Sequence, residues 1–332
     1  MAREATRGRG AADDATPVGA DGAEALGSLR ASAGTPAVAA ATAVEHRAGD
    51  ADAAGVAVES DRTASAWRVH KSGESLLRVR DLHCGYGKKE IVHGVSFDVA
   101  RGDFVCVIGA NGCGKTTLLK NILGLIKPLA GEVTMEGKSV LHLADRERAQ
   151  MFAYIPQAHT PPFPFSVADV VLMGRTPYVG RMSRTTPEDR RIAWRAMCLL
   201  GIDHLAERTY TKLSGGQQQL ILVARALTQQ PDLIIMDEPT ASLDFGNQQI
   251  VLSRMKDLAK TGVSVLMVTH DPYHAFYCAD RVIVMKDGLI GAEGAPHDVM
   301  TREELEDIYR TQLNVIDVEL STGARTTVCV PL

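Results

Sequence analysis

The chain has 332 residues and a formal net charge of −4, room for one large or two modest domains. That charge offers no electrostatic case for nucleic acid, and apolar runs such as 220–223 and 233–236 fall far short of the roughly 18 residues a membrane span needs. Six scattered cysteines with no C-x-x-C pair argue against a disulfide framework or a zinc site, and no apolar stretch follows Met1 to suggest a secretory signal.

Residues 1–75 are rich in alanine, glycine and charge and nearly lack large apolar side chains. Such a stretch buries too little surface to offset its ordering entropy and is read as disordered, either a functional tail or the product of a start site placed too early. Order is expected from 76 to 320, with 321–332 a short terminal segment to which brief strands could belong. Residues 77–82 and 94–99 alternate like half-exposed strands, 104–108 form a continuous apolar run, and 131–137 make a short strand between turns. Residues 152–157 read as a strand ending at a proline, followed by a Pro-rich link over 160–165. Ser166 with Asp169 three residues on marks a helix start. The pattern stays helical to about Glu207, with Pro177 and Pro187 as interruptions, so about 158–213 is read as a helical subdomain inserted into an α/β core. A helix then runs from about 214 to 227, a buried strand over 233–237, and a helix over about 247–260. Another buried strand spans 263–269, a hairpin turns at 286–288, and Thr301 caps a last helix.

The phosphate-binding pattern G-x-x-x-x-G-K-[ST] occupies Gly109, Asn111, Gly112, Cys113, Gly114, Lys115, Thr116 and Thr117, between a buried strand and a helix. Glycines let the backbone turn its N–H groups around an anion, and the helix start adds partial positive charge. Lys115 would reach the outer phosphates and the Thr116 hydroxyl would hold Mg²⁺. Asp237, at the C-terminal end of a buried strand, fits the second metal position of an ATP-hydrolysing site. Glu238, beside it, would orient or deprotonate a water, or else is a solvated strand-end acid. His270 is either structural or a γ-phosphate contact. Gln157 completes the metal shell or is a turn glutamine.

The phosphate loop, Gln157, Leu213-Ser214-Gly215-Gly216-Gln217, Asp237-Glu238, Ser242-Leu243-Asp244 and His270, in that order, resemble the ATPase subunit of ABC transporters over about 76–315. The resemblance implies a P-loop ATPase core with an antiparallel β part and the helical subdomain. In that family a tyrosine placed like Tyr86 stacks on adenine, although by spacing alone Tyr86 could be a core tyrosine. The resemblance further implies a head-to-tail homodimer or paired ATPase subunits, with each ATP between one phosphate loop and the partner's Ser214, Gly215, Gly216 and Gln217. Asp244 would link the two sites. The helix start at Ser214 and the N–H groups of Gly215 and Gly216 suit a second anion site.

Asp169-Val170-Val171-Leu172-Met173-Gly174-Arg175-Thr176-Pro177-Tyr178 is similar to subunits that power uptake of iron–siderophore, haem and cobalamin. That likeness implies a separate permease, a substrate-binding protein and a place at the cytoplasmic face of the cell membrane. Gly174 would permit close approach of a permease helix and Arg175 would bond its end. An oxyanion importer and a soluble ABC protein of DNA repair or translation are the alternatives. Against the latter, no long coiled coil separates the phosphate loop from Ser214, and there is one cassette. The family more often has a basic residue at Gln218, and Cys113 replaces a commoner serine. A thiol reagent at Cys113 should inhibit ATP hydrolysis, and bound ATP should protect.

Overall fold

A computed structural model describes residues 74–157, 163–180, 183–319, 323 and 325–332. The stretch read as a disordered tail, up to residue 73, and residues 160–162 of the Pro-rich link lie outside the described residues.

The first strands form a hairpin, β1 (Ser75–Tyr86) and β2 (Lys89–Ala100), each longer than its alternating segment suggested. The turn at Gly87 takes φ 61°, a left-handed conformation that glycine adopts without strain. β3 (Phe104–Ile108) precedes the phosphate loop and α1 (Lys115–Ile122); β4 (Ala130–Met135) and β5 (Lys138–Ser139) follow. The sequence reading missed α2 (Asp145–Met151), a helix of about two turns before β6 (Phe152–Ile155). Four of these strands make an antiparallel sheet in the order β2-β1-β4-β5.

The inserted segment is less continuous than expected. α3 (Val167–Leu172) starts at Ser166, whose hydroxyl accepts from the Asp169 N–H, and ends in a single tighter turn at 173–175. α4 (Pro187–Leu200) begins where an interruption was read. Thr186 and Asp189 form a reciprocal capping box, and Pro187 occupies the first helical position, where its missing N–H costs nothing. Both helices pack on α5 (Gly215–Thr228).

β7 (Leu233–Asp237), α6 (Phe245–Lys260), β8 (Ser264–Thr269), α7 (Pro272–Cys278), β9 (Arg281–Lys286) and β10 (Leu289–Gly294) complete the main sheet, whose order is β10-β9-β3-β8-β7-β6. All neighbours are parallel except β10 against β9. Every residue of β3, β7 and β8 is buried, because both faces are covered. Phe104, Cys106 and Ile108 feed one apolar cluster and Val105 and Val107 the other, as the period-2 alternation of a strand requires. After α8 (Pro296–Val299) and α9 (Arg302–Tyr309), β11 (Leu313–Glu319) pairs with β12 (Arg325–Pro331) in register from Leu313↔Pro331 to Glu319↔Arg325. The division drawn at 320/321 therefore falls inside a hairpin.

Candidate active site

The register of the main sheet assembles the site. Ile108 lies opposite Thr269, Val268 opposite Asp237, and Met236 opposite Ile155. The phosphate loop, His270, Glu238 and Gln157 thus all leave the sheet at the C-terminal ends of its strands, where open α/β sheets place ligands.

The phosphate loop wraps its own lysine. Lys115 is 6% exposed, and its Nζ donates to the carbonyls of Gly109 at 2.8 Å and Ala110 at 3.0 Å. Gly114, with φ 109°, opens α1 in a backbone conformation closed to other residues, and no acidic side chain occupies the first turn. The free N–H groups of that turn therefore face the loop uncompensated, an anion site by construction. Gly288 N donates to Cys113 O at 3.1 Å, tying the loop to the β9–β10 turn. The Cys113 thiol itself is buried, and burial pushes its pKa up, offset only in part by Lys115. A thiol held neutral and covered reacts slowly, so modification of Cys113 is expected to be slow.

Asp237 is 5% exposed. Burial pushes its carboxyl up and the Glu238 charge adds to this, while the Thr116 hydroxyl bonds it and Lys115 attracts it. Tyr154 Oη approaches Asp237 Oδ2 at 3.5 Å. A carboxylate desolvated beside a hydroxyl is a donor set that a divalent cation would relieve. Among the described residues no three His, Cys, Asp or Glu side chains form a metal cage. Mg²⁺ usually takes one or two protein oxygens and fills its shell with phosphate and water.

Glu238 follows with φ 47°, a strained conformation for a non-glycine residue, and its N–H donates to Val268 O at 2.9 Å. Its carboxylate is held from both sides. Gln157 Nε2 donates to Oε2 at 3.0 Å, and His270 Nδ1 lies 3.2 Å from Oε1. The structure therefore brings Gln157, Glu238 and His270 together. Tyr86 is half-exposed at the end of β1 rather than in the core, with Lys120 Nζ, on α1, 3.2 Å from its hydroxyl.

The Ser214 element stands apart. Ser214 Oγ accepts from Gln217 N at 3.3 Å and Gln217 Oε1 accepts from Ser214 N at 3.2 Å, a closed capping box. Gly216 packs on Asn247, and Gly215 on Leu243. Asp244 caps α6 by accepting from Asn247 N at 2.9 Å. Gln218 Nε2 bonds the carbonyls of Tyr210 and Leu213, fixing the chain that leads into the box. None of these partners belongs to the phosphate loop.

Arg175 is not a surface contact for another chain's helix. It is 7% exposed, pairs with Asp189 at 2.8 Å, and donates to Thr228 O at 3.0 Å and Gln230 Oε1 at 2.9 Å. A Cβ on Gly174 would lie 2.3 Å from Arg225 O. The close approach and the helix end are real, but both belong to α5 of the same chain.

His274 escaped the sequence reading. It is 5% exposed, with Nδ1 2.9 Å from Thr269 Oγ1 and Nε2 3.4 Å from Thr240 Oγ1. It braces the strand ends that carry His270 and Glu238. The signal was present in Asp271-Pro272, a capping residue followed by a proline at the first helical position.

Residues 92–241 match the ABC transporter family. The hemin import ATP-binding protein HmuV of Nocardia farcinica is 39% identical over 258 residues, covering 76% of this chain and 88% of the relative. The molybdate import ATP-binding protein MolC of Haemophilus influenzae is 37% identical over 216 residues, covering 65% and 80%. A solved structure described as a metal-chelate type ABC transporter in an inward-facing conformation superposes with a TM-score of 0.70 at 33% identity, over 78% of this chain and 98% of the other. The chain belongs to the ATP-binding subunits of ABC transporters. As an ABC subunit it is an ATPase with the P-loop fold, and the sequence resemblance to that family holds. Among the described residues, no helix of this ABC subunit is long and apolar enough to cross a membrane.

Proposed function

We propose that the chain is the ATP-hydrolysing motor of an importer for an iron–siderophore, haem or cobalamin cargo. It works as a homodimer at the cytoplasmic face of the membrane, driving a separate permease fed by a substrate-binding protein. The observation that carries the motor assignment is the carboxylate of Glu238, fixed between Gln157 and His270 at the strand ends beside the phosphate loop.

In this reading Lys115 and the N-terminal turn of α1 take the phosphates, and Tyr86 supports the base. Thr116 and Asp237, with Gln157 nearby, would hold Mg²⁺, which when bound supplies charge neutralisation at the phosphates. Glu238 accepts the proton of the attacking water, and His270 and Gln157 keep its carboxylate aimed. A Ser214 element whose side-chain bonds close on each other, away from the phosphate loop, suits a site completed by a second copy. Ser214, Gly215, Gly216 and Gln217 of one copy then close on the γ-phosphate held by the other, with Asp244 at the junction.

The haem relative and the chelate-type structure favour a metal-chelate cargo; the molybdate relative favours an oxyanion as the second reading. The test is a vesicle carrying permease and full-length chain, supplied with binding protein. Wild type is expected to take up ferric chelate on ATP addition. Glu238→Gln is expected to lose turnover by on the order of 10²–10⁴-fold while forming an ATP-dependent dimer. Uptake of molybdate instead of chelate overturns the cargo; unchanged hydrolysis in Glu238→Gln overturns the base.

A further inference from the structure

The short link between β8 and α7 carries His270, and three groups pin it. Thr269 Oγ1 bonds His274 Nδ1 and accepts from Asp271 N at 3.1 Å, and Asp271 caps α7 by accepting from Tyr273 N at 2.9 Å. The third restraint arrives from far along the chain. Tyr309 Oη donates to the backbone carbonyl of His270 at 2.7 Å.

Tyr309 is the last residue of α9, which Arg310 ends in a left-handed conformation at φ 52°. α9 is itself held. Lys286, at the end of β9, pairs with Asp307, and Leu313 N donates to Glu306 Oε1 at 3.0 Å as β11 begins. β12 packs along α7. The phenol lies within electrostatic reach of Asp271, Cys329 and the loop residue Cys113, and burial above all keeps it protonated, hence a donor. The His270 side chain, by contrast, is 45% exposed, so packing does not hold its ring. Apart from its contact with Glu238, what places it is the peptide behind it.

We propose that Tyr309 is a positioning residue for hydrolysis: its hydroxyl fixes the peptide carrying His270 and so keeps the imidazole on Glu238. The terminal helix, which contributes no group to the nucleotide site, thereby sets the geometry of the carboxylate. This rests on the roles given above to Glu238 and His270. Phenylalanine fills the same space without the bond, so Tyr309→Phe isolates the hydroxyl.

The experiment is ATP hydrolysis by the full-length chain with its permease in vesicles, for Tyr309→Phe, His270→Ala and the double variant. Tyr309→Phe is expected to lower kcat about three- to tenfold, the loss typical of one hydrogen bond, with KM for ATP within about twofold. On the His270→Ala background the same change is expected to do nothing further. An equal drop on both backgrounds makes Tyr309 a general brace and overturns the proposal, as does an unchanged kcat in Tyr309→Phe. Wild-type kcat in His270→Ala alone refutes the role of His270 instead, which tells the two failures apart.

Discussion

The phosphate loop and the Ser214 element are both helix starts, yet they are finished to different degrees. The loop is closed around its own chemistry: Lys115 is buried on two loop carbonyls, and Asp237 is desolvated against Thr116 and Glu238. The Ser214 start is exposed and satisfied only by its own capping box, beside an equally exposed Asp244 and a Phe245 that is 77% exposed. One region is closed on itself; in the proposed dimer the other waits for a second copy. The sharpest way to break this contrast is to damage each alone. Lys115→Ala is expected to weaken ATP binding to the isolated chain by about 100-fold or more, since a charge-assisted contact to phosphate is lost. Ser214→Ala is expected to leave that affinity within about twofold while cutting turnover by about 100-fold, the cost of one donor at a reacting oxygen. The lost helix cap costs about 1 kcal/mol, too little to unfold the domain. Titration of labelled nucleotide beside a phosphate-release assay separates the two, and a Ser214→Ala chain that fails to bind ATP sinks the contrast.

A smaller effect tests how the exposed half is presented. α5 carries Ser214 at its start and receives Arg175 at its end, through Thr228 O. Arg175 and Asp189 have side chains only 8% and 9% exposed, and removing one partner leaves a buried charge uncompensated. Arg175→Ala is expected to lower stability by about 3–5 kcal/mol, read from urea unfolding, with ATP affinity of the remaining folded chain nearly unchanged. A loss below about 1 kcal/mol would mean the pair is not what seats the helical insertion on α5.

Arg175 also shows where sequence legibility stopped. The loop, the strand ends and the capping boxes were readable because each is a local pattern with a local cause: glycines at forced backbone angles, a continuous apolar run, a hydroxyl three residues before an acid. The meeting of Gln157 with Glu238 and His270 was readable only as order along the chain, since register across three strands brings them together. What stayed hidden depends on contacts between distant segments. Nothing local says that Arg175 turns inward to Thr228, that Tyr309 reaches His270 across 39 positions, or that the last residues form a hairpin against α7. Pro187 misleads for the opposite reason: a proline breaks a helix from within, but between Thr186 and Asp189 it begins one.

The least of the expected effects concerns the finished half and acid. His274 bonds Thr269 and Thr240, so it steadies the strand ends from which His270 and Glu238 emerge. Burial lowers its pKa below the ordinary 6.5; the Asp271 charge works against that, the His270 charge with it, and Glu238 again against it. The unfolded chain therefore takes up a proton near pH 6.5 that the folded chain refuses. Stability from this group is complete above pH 6.5 and is lost as the pH falls from there toward the depressed folded value. His274→Asn removes the titration and keeps a side-chain polar group between the two threonines. Urea midpoints at pH 7.5 and 5.5 should fall further on acidification in the wild type than in the variant. Equal falls would mean that the proton enters the folded chain as readily as the unfolded one, and that burial does not depress the His274 imidazole.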